Sequence, residues 1–143
     1  RTGHSQARPS SPGGLVYALG GRAGDLALDC CERLDPGTDR WERLPGLASA
    51  RTGCAACATG LVFALGGKAA GGVSAAAECF DARSGRWWRL PPMRTPRSAF
   101  AAAALSGVVY VAGGFDGSRG VDSCESFDAR RGCWEERPPM AAA

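Results

Sequence analysis

The chain has 143 residues, of which 45% are apolar and 22% charged, a balance typical of a soluble globular protein. Its formal charge of +3 comes from scattered arginines, since Lys68 is the only lysine, and we therefore expect no nucleic-acid partner. The longest uninterrupted apolar stretch, Ala99–Leu105, is far shorter than the ~20 residues of a membrane span, so we also expect no membrane contact.

The seven cysteines show no paired framework, and no signal peptide is expected ahead of the first repeat. We predict free thiols and a cytoplasmic, reducing location. Cys54 and Cys57 have the spacing of half a zinc site, but there is no second such pair and the only histidine is His4. Residues three apart on a strand face opposite sides, so we interpret both as small core side chains and expect no metal.

One unit of sequence recurs three times. Its most regular part is an apolar run ending in two glycines, found at Leu15–Gly21, Leu61–Gly67 and Val108–Gly114, which lie 46 and then 47 residues apart. A glutamate, an aspartate, a tryptophan and a proline step by the same two intervals. This period predicts three structural units, at residues 1–47, 48–94 and 95–143.

Each unit divides into four short segments separated by turn residues, which predicts an antiparallel sheet of strands A to D. Strand A has small side chains, which suit a crowded inner position, and is predicted at Arg1–Ala7, Arg51–Thr59 and Arg97–Leu105. Strand B is the apolar run, whose β-branched and aromatic residues are typical of burial on both faces. The two glycines that follow allow close backbone approach or positive φ.

Strand C alternates glutamate with apolar residues before an aspartate, and turns are predicted after it at Pro36–Asp39, Arg83–Gly85 and Arg130–Gly132. Strand D contains the repeated tryptophan and is closed by proline. We assign the glycine pairs and these tryptophans to the architecture: Gly20, Gly21, Gly66, Gly67, Gly113, Gly114, Trp41, Trp87 and Trp134. The glutamates Glu32, Glu78 and Glu125 are explained by a repeated structural bond. Trp88 should face away from Trp87, into solvent or a partner.

The connections between strands B and C form the expected recognition face. They span Arg22–Asp29, Lys68–Ala76 and Phe115–Asp122, and they differ in sequence at nearly constant length. Length differences are instead confined to the A–B turn, at the opposite end of the sheet. Variable loops on a repeated framework are where binding residues concentrate.

These features together resemble kelch-repeat β-propellers: the glycine pair, the Glu-x-apolar-Asp segment and the tryptophan six residues later match the kelch pattern. The resemblance implies an all-β fold in which each unit is one four-stranded antiparallel blade with strand A along a central channel. Propellers close with about four to eight blades, so three blades imply an open arc, a slice of a longer propeller or a short isoform. Its uncovered end faces imply self-association or poor solubility.

The resemblance implies a protein-interaction module, such as the substrate receptor of a cullin-3 ubiquitin ligase, although no BTB region is present here. A cytoskeletal, actin-associated scaffold is the alternative. An enzyme is not expected, because the copper-binding kelch enzymes need two histidines, and the candidate channel strands carry Ala, Gly, Ser, Thr and Cys in place of acid–base groups. We accordingly predict no cofactor.

In the family, arginines at the channel mouth grip acidic peptides. Arg51 and Arg97 match these positions, and Arg1 matches them less closely. Their guanidinium groups could hold carboxylates bidentately. The alternative for this arginine is a structural role in every blade. The neighbouring loops add further candidates for a protein partner or an acidic peptide: Arg22, Lys68, Ser98, Phe115, Asp116 and Arg119.

Overall fold

The structure is a computed structural model that describes residues 14–142. The strand A predicted for the first unit, and Arg1 and His4 with it, lie outside the described residues. Within the described part of the chain, every regular element is a β-strand. No helix there is long and apolar enough to cross a membrane.

Fifteen strands follow one another in three similar groups. The first group is β1 (Val16–Leu19), β2 (Arg22–Ala23), β3 (Leu26–Ala27), β4 (Cys31–Asp35) and β5 (Arg40–Leu44). The second is β6 (Ala55–Ala58), β7 (Val62–Leu65), β8 (Lys68–Ala69), β9 (Gly72–Val73), β10 (Ala77–Asp81) and β11 (Arg86–Leu90). The third is β12 (Ala101–Leu105), β13 (Val108–Ala112), β14 (Cys124–Asp128) and β15 (Cys133–Arg137).

These strands form three main antiparallel sheets. The second sheet, β6-β7-β10-β11, and the third, β12-β13-β14-β15, each pair their strands in chain order. The first sheet contains β1, β4 and β5 within the described residues. Strands B, C and D therefore form where the sequence predicts them, and β2-β3 and β8-β9 are small hairpins inside the first two B–C connections.

The A strands begin later than predicted. They start at Ala55 and Ala101, four residues beyond the arginines expected to open them. The backbone turns sharply in between, because φ is +65° at Gly53 and +51° at Ala99, and the Ala99 N–H donates to the Gly53 carbonyl at 2.9 Å. Positive φ cannot continue a strand. Each arginine is thus separated from its strand and lies against the preceding sheet.

The apolar core lies between neighbouring sheets. Along β7, Val62 and Ala64 pack toward the first sheet, whereas Phe63 and Leu65 pack toward the third. All four residues are buried, as the sequence predicts for this strand. The prediction of two-faced burial is wrong for the corresponding strands β1 and β13, because the outer sheets have a described neighbour on one side only.

The repeated glycine Gly66 shows why a side chain is excluded after strand B, and Gly132, in the turn between strands C and D of the third unit, is the comparison. Gly66 has φ of +58°, and a Cβ there would lie 2.5 Å from the Arg97 carbonyl oxygen. Gly132 has a similar φ of +70°, but a Cβ on it would meet no atom within 4 Å. A side chain at Gly66 would therefore meet both backbone strain and a collision, whereas one at Gly132 would meet backbone strain alone.

We expect Gly66→Ala to lower the free energy of unfolding by about 3 kcal/mol or more, and the control Gly132→Ala by about 1 kcal/mol. Urea unfolding followed by circular dichroism measures both values. Equal losses for the two variants would show that the backbone of Arg97 does not approach Gly66 closely.

Candidate functional site

The Arg51 side chain is buried inside the second sheet. It is 2% exposed and its guanidinium forms an ion pair with Glu78. Its Nη1 also donates to the carbonyl of Ala76 at 3.1 Å and to that of Gly66 at 3.4 Å. The guanidinium therefore joins the end of strand B to the beginning of strand C.

The main chain of Arg51 is bound to the first sheet. Its N–H donates to the Leu28 carbonyl at 3.0 Å, and its carbonyl accepts from the Gly21 N–H at 2.8 Å. One residue thus links two sheets, with its backbone held by the loop of one and its side chain by the strands of the next.

Arg97 repeats this arrangement between the second and third sheets. Its backbone pairs with the Ser74 carbonyl at 3.1 Å and the Gly67 N–H at 2.7 Å. Its Nη1 donates at 2.9 Å to the carbonyls of Gly113 and Ser123, and its Nη2 lies 3.1 Å from Glu125 Oε2. The side chain is 0% exposed.

The position of these arginines corrects their assignment to a binding surface. Neither guanidinium reaches the surface, and each is already paired with a buried carboxylate, so the structural alternative describes Arg51 and Arg97. The structural bond expected for the glutamates is confirmed at Glu78 and Glu125, but the prediction is wrong for Glu32, whose exposed carboxylate makes no hydrogen bond within residues 14–142. Each carboxylate also accepts from the linker before the arginine, Glu78 from Ala48 N–H at 3.3 Å and Glu125 from Arg94 N–H at 2.7 Å.

The other predicted residues gather on the loop end of the sheets. Ser98 and Phe115 exchange two backbone hydrogen bonds of 2.9 Å, which attach the third B–C loop to the segment before β12. Ser98 is buried, at 9% exposure, whereas Phe115 is 39% exposed. Ser98 is thus a support for the loop, and the Phe115 ring is available at the surface.

Asp116 organises the tip of the same loop. Its carboxylate accepts the backbone N–H groups of Arg119 and Ser118, at 2.9 and 2.8 Å. These hydrogen bonds, the one from Arg119 first, hold the pKa of Asp116 below its ordinary value. The Arg119 side chain is exposed on this turn. An open pocket of about 510 Å³ lies beside it and is lined by Thr95, Asp116, Arg119, Gly120, Val121, Asp122 and Ser123.

The first two B–C loops present the remaining basic groups. Arg22 and Lys68 are exposed at the start of their hairpins, and the Lys68 backbone is fixed by a 2.7 Å bond from its N–H to the Thr52 carbonyl. Leu26, at the tip of the first hairpin, is 68% exposed. The second and third loops are neighbours, because a Cβ on Gly117 would lie 3.8 Å from Val73.

Sequence reasoning missed three residues of this loop end: Leu26, Thr95 and Asp122. Leu26 and Asp122 belong to the B–C connections, and their position in these loops was sufficient reason to predict them as binding residues. Thr95 gave no signal, because it belongs to the linker that the Arg97 bonds bring beside the third loop. The carboxylates of Asp116 and Asp122 also make this surface mixed in charge rather than uniformly basic.

The described cysteines are free thiols. Burial raises the pKa of Cys31 and of Cys57 to about 11, and it raises the pKa of Cys54 and Cys79 as well. Such thiols are protonated and poorly nucleophilic at neutral pH. Among residues 14–142, no three His, Cys, Asp or Glu side chains are grouped to hold a metal ion.

Comparison with known proteins identifies the repeat. The family model described as "Kelch motif" matches residues 4–48 and 96–141, which together are more than half of the chain. The search of curated proteins found no match.

We expect Arg97→Lys to lower the free energy of unfolding by about 2–4 kcal/mol, because one ammonium cannot replace the planar fork that reaches Glu125 and two carbonyls. Arg94→Lys makes the same change on an exposed side chain of the adjacent linker and should alter stability by less than about 0.5 kcal/mol. Urea unfolding compares the two variants. A wild-type stability for Arg97→Lys would contradict the structural role.

Proposed function

The chain belongs to the kelch-repeat family, and on that premise we propose that it is a protein-interaction module whose B–C loops bind the partner. The observation that carries this proposal is the division between its basic residues. The repeated arginines are buried in ion pairs, whereas Arg22, Lys68 and Arg119 stand exposed on three loops at one end of the sheets. The framework therefore positions the loops and leaves their tips free to bind.

For the fold we propose an open arc of a propeller, in which the three sheets are successive blades at residues 1–47, 48–94 and 95–143. The packing of each sheet on the next supports it, as does the attachment of each described A strand to the preceding sheet through the arginine backbone. The short Ala-rich strands β6 and β12 are adjacent and would line the inner side of the arc.

The partner we propose is a protein segment that carries acidic and apolar side chains. Three cationic groups favour carboxylates, and the exposed Phe115 ring and Leu26 side chain add apolar contacts. The carboxylates of Asp116 and Asp122 would exclude a uniformly acidic ligand from the pocket beside Arg119 and so contribute specificity.

Within this class we favour a non-catalytic substrate receptor acting in the cytoplasm with a cullin-3 ligase, and an actin-associated scaffold is the second candidate. Family resemblance supports both roles. Capture with the full protein separates them, since enrichment of a cullin supports the receptor and enrichment of actin supports the scaffold.

We expect the double variant Lys68→Glu with Arg119→Glu to lose binding to the acidic partner proteins that the wild-type chain captures from a cell extract. The reason is that these changes reverse the charge on the second and third B–C loops. The matched control is Arg83→Glu with Arg130→Glu, exposed arginines in the C–D turns at the opposite end. Quantitative mass spectrometry compares the captured proteins, and thermal melts show that both variants fold.

Retention of the same proteins by the loop variant, or their loss from the control, would place the binding surface elsewhere. Capture by the wild type should also weaken as salt rises from about 0.05 to 0.5 M, because exposed charge pairs are screened.

A further inference from the structure

The chain builds the same contact between sheets twice. In the first instance the indole Nε1 of Trp87 donates to the Pro45 carbonyl of the preceding sheet at 2.7 Å. In the second, Trp134 donates to the Pro91 carbonyl at 2.8 Å. The tryptophan ring packs on a phenylalanine of its own sheet in both cases, with centroids 5.3 Å apart for Phe80–Trp87 and 5.2 Å for Phe127–Trp134.

The glutamates follow the same rule. Glu78 and Glu125 each accept an N–H from the linker that follows strand D of the preceding sheet, from Ala48 and from Arg94 respectively. A complete contact therefore has a donor half, which supplies the tryptophan and the glutamate, and an acceptor half, which supplies a proline carbonyl and a linker N–H.

The outer face of the first sheet carries an unused donor half. Trp41 is 41% exposed, whereas Trp134 in the same repeat position is 7% exposed. Val16, in the same cross-strand row two strands away, is 51% exposed, although its counterpart Val62 is buried at 7%. Neither the Trp41 indole nor the exposed Glu32 carboxylate hydrogen-bonds within residues 14–142.

The outer face of the third sheet carries the corresponding acceptor half. Tyr110 and Ala112 occupy the positions that Phe63 and Leu65 fill in the contact between the second and third sheets. The exposed Pro138 and Ala141 follow β15, at the repeat positions of Pro91 and Arg94.

The outer face of the third sheet is polar at one edge, but this polarity does not prevent another sheet from packing on it. The Arg137 guanidinium lies 5.8 Å from the Tyr110 ring centre, and its Nε donates to the Ser126 hydroxyl at 2.8 Å. A similar pair is already accommodated between the first and second sheets, where Tyr17 packs against the shared core and lies opposite Arg33 on the neighbouring strand. Arg33 bonds Glu42 at 2.8 Å, and the Arg33 side chain is 17% exposed. A tyrosine and a paired arginine are therefore compatible with a contact of this kind.

We propose that two copies of the chain associate head to tail, with the first sheet of each copy packed on the third sheet of the other. Trp41 Nε1 of one copy then donates to the Pro138 carbonyl of the second, and the Glu32 carboxylate accepts the Ala141 N–H. This pairing reproduces the contact that the chain makes internally. It is independent of the loop face proposed above for partner binding.

A second copy fits better than a self-paired face. Two first sheets placed together would oppose two tryptophans without the proline carbonyl that receives the indole in both internal contacts. Head-to-tail contacts form closed rings or open filaments, depending on the rotation between copies. Two copies of the described residues place six main sheets in sequence, within the range of about four to eight at which propellers close, so a dimer is expected rather than a filament.

Sedimentation velocity on the wild-type chain should show a concentration-dependent species of twice the monomer mass. Trp41→Ala removes the donor half, and Ala112→Arg obstructs the acceptor half with a side chain that points away from the core of its own sheet. Each should weaken the dimer about tenfold or more, because buried tryptophans and close packing dominate interface affinity. The control Trp88→Ala removes a tryptophan that is 52% exposed on the second sheet, and it should leave the dimer unchanged.

Mixing the two deficient variants gives the decisive result. A Trp41→Ala copy keeps its acceptor face and an Ala112→Arg copy keeps its donor face, so one intact contact is restored and a mixed dimer should form. A monomeric wild-type chain with a cooperative thermal melt would overturn the proposal. It would also be overturned by a dimer that Trp41→Ala leaves intact, or by two folded variants that do not complement each other.

Discussion

The described architecture depends on the buried arginine that precedes each described A strand. A guanidinium presents five N–H donors in a fixed plane, and burying it is favourable only when a carboxylate balances the charge and other acceptors take the remaining donors. Arg97 meets this condition at Nη1 and Nη2, which reach Glu125, the Ser123 hydroxyl and two carbonyls of the third sheet, whereas its buried Nε has no hydrogen-bond partner. Its own backbone is bound to the second sheet. The residue is therefore a cross-link that holds two sheets and two loops in one arrangement.

This cross-link determines where function can be located. The arginine and the turn after it carry the chain from the loop of one sheet to strand A of the next. The following B–C loop bonds back to the same segment, as Phe115 does to Ser98. The loops are thus fixed at their bases and variable at their tips. Surface chemistry available to a partner is found at those tips and on the two outer sheet faces.

Much of the fold could be predicted from the sequence, because period, glycine pairs and alternation all point to the same strands. The start of strand A could not, since Ala99 adopts positive φ and alanine gives no sign of it. The role of Arg51 and Arg97 also stayed open, because an arginine is normally exposed and only the nearby Glu78 or Glu125 makes burial favourable. Exposure of Trp41 depends on which sheet faces it, and a repeat pattern does not specify a neighbour.

The most direct measurement of the cross-link is a double-mutant cycle on Arg97→Gln and Glu125→Gln, with unfolding free energies from urea titrations. We predict a coupling of about 2 kcal/mol or more, because either single variant leaves a buried group without its partner. The matched cycle on the exposed pair Arg131 and Glu135, joined at 2.6 Å, should give no measurable coupling. Additive losses at Arg97 and Glu125 would contradict the claim that this pair holds the sheets together.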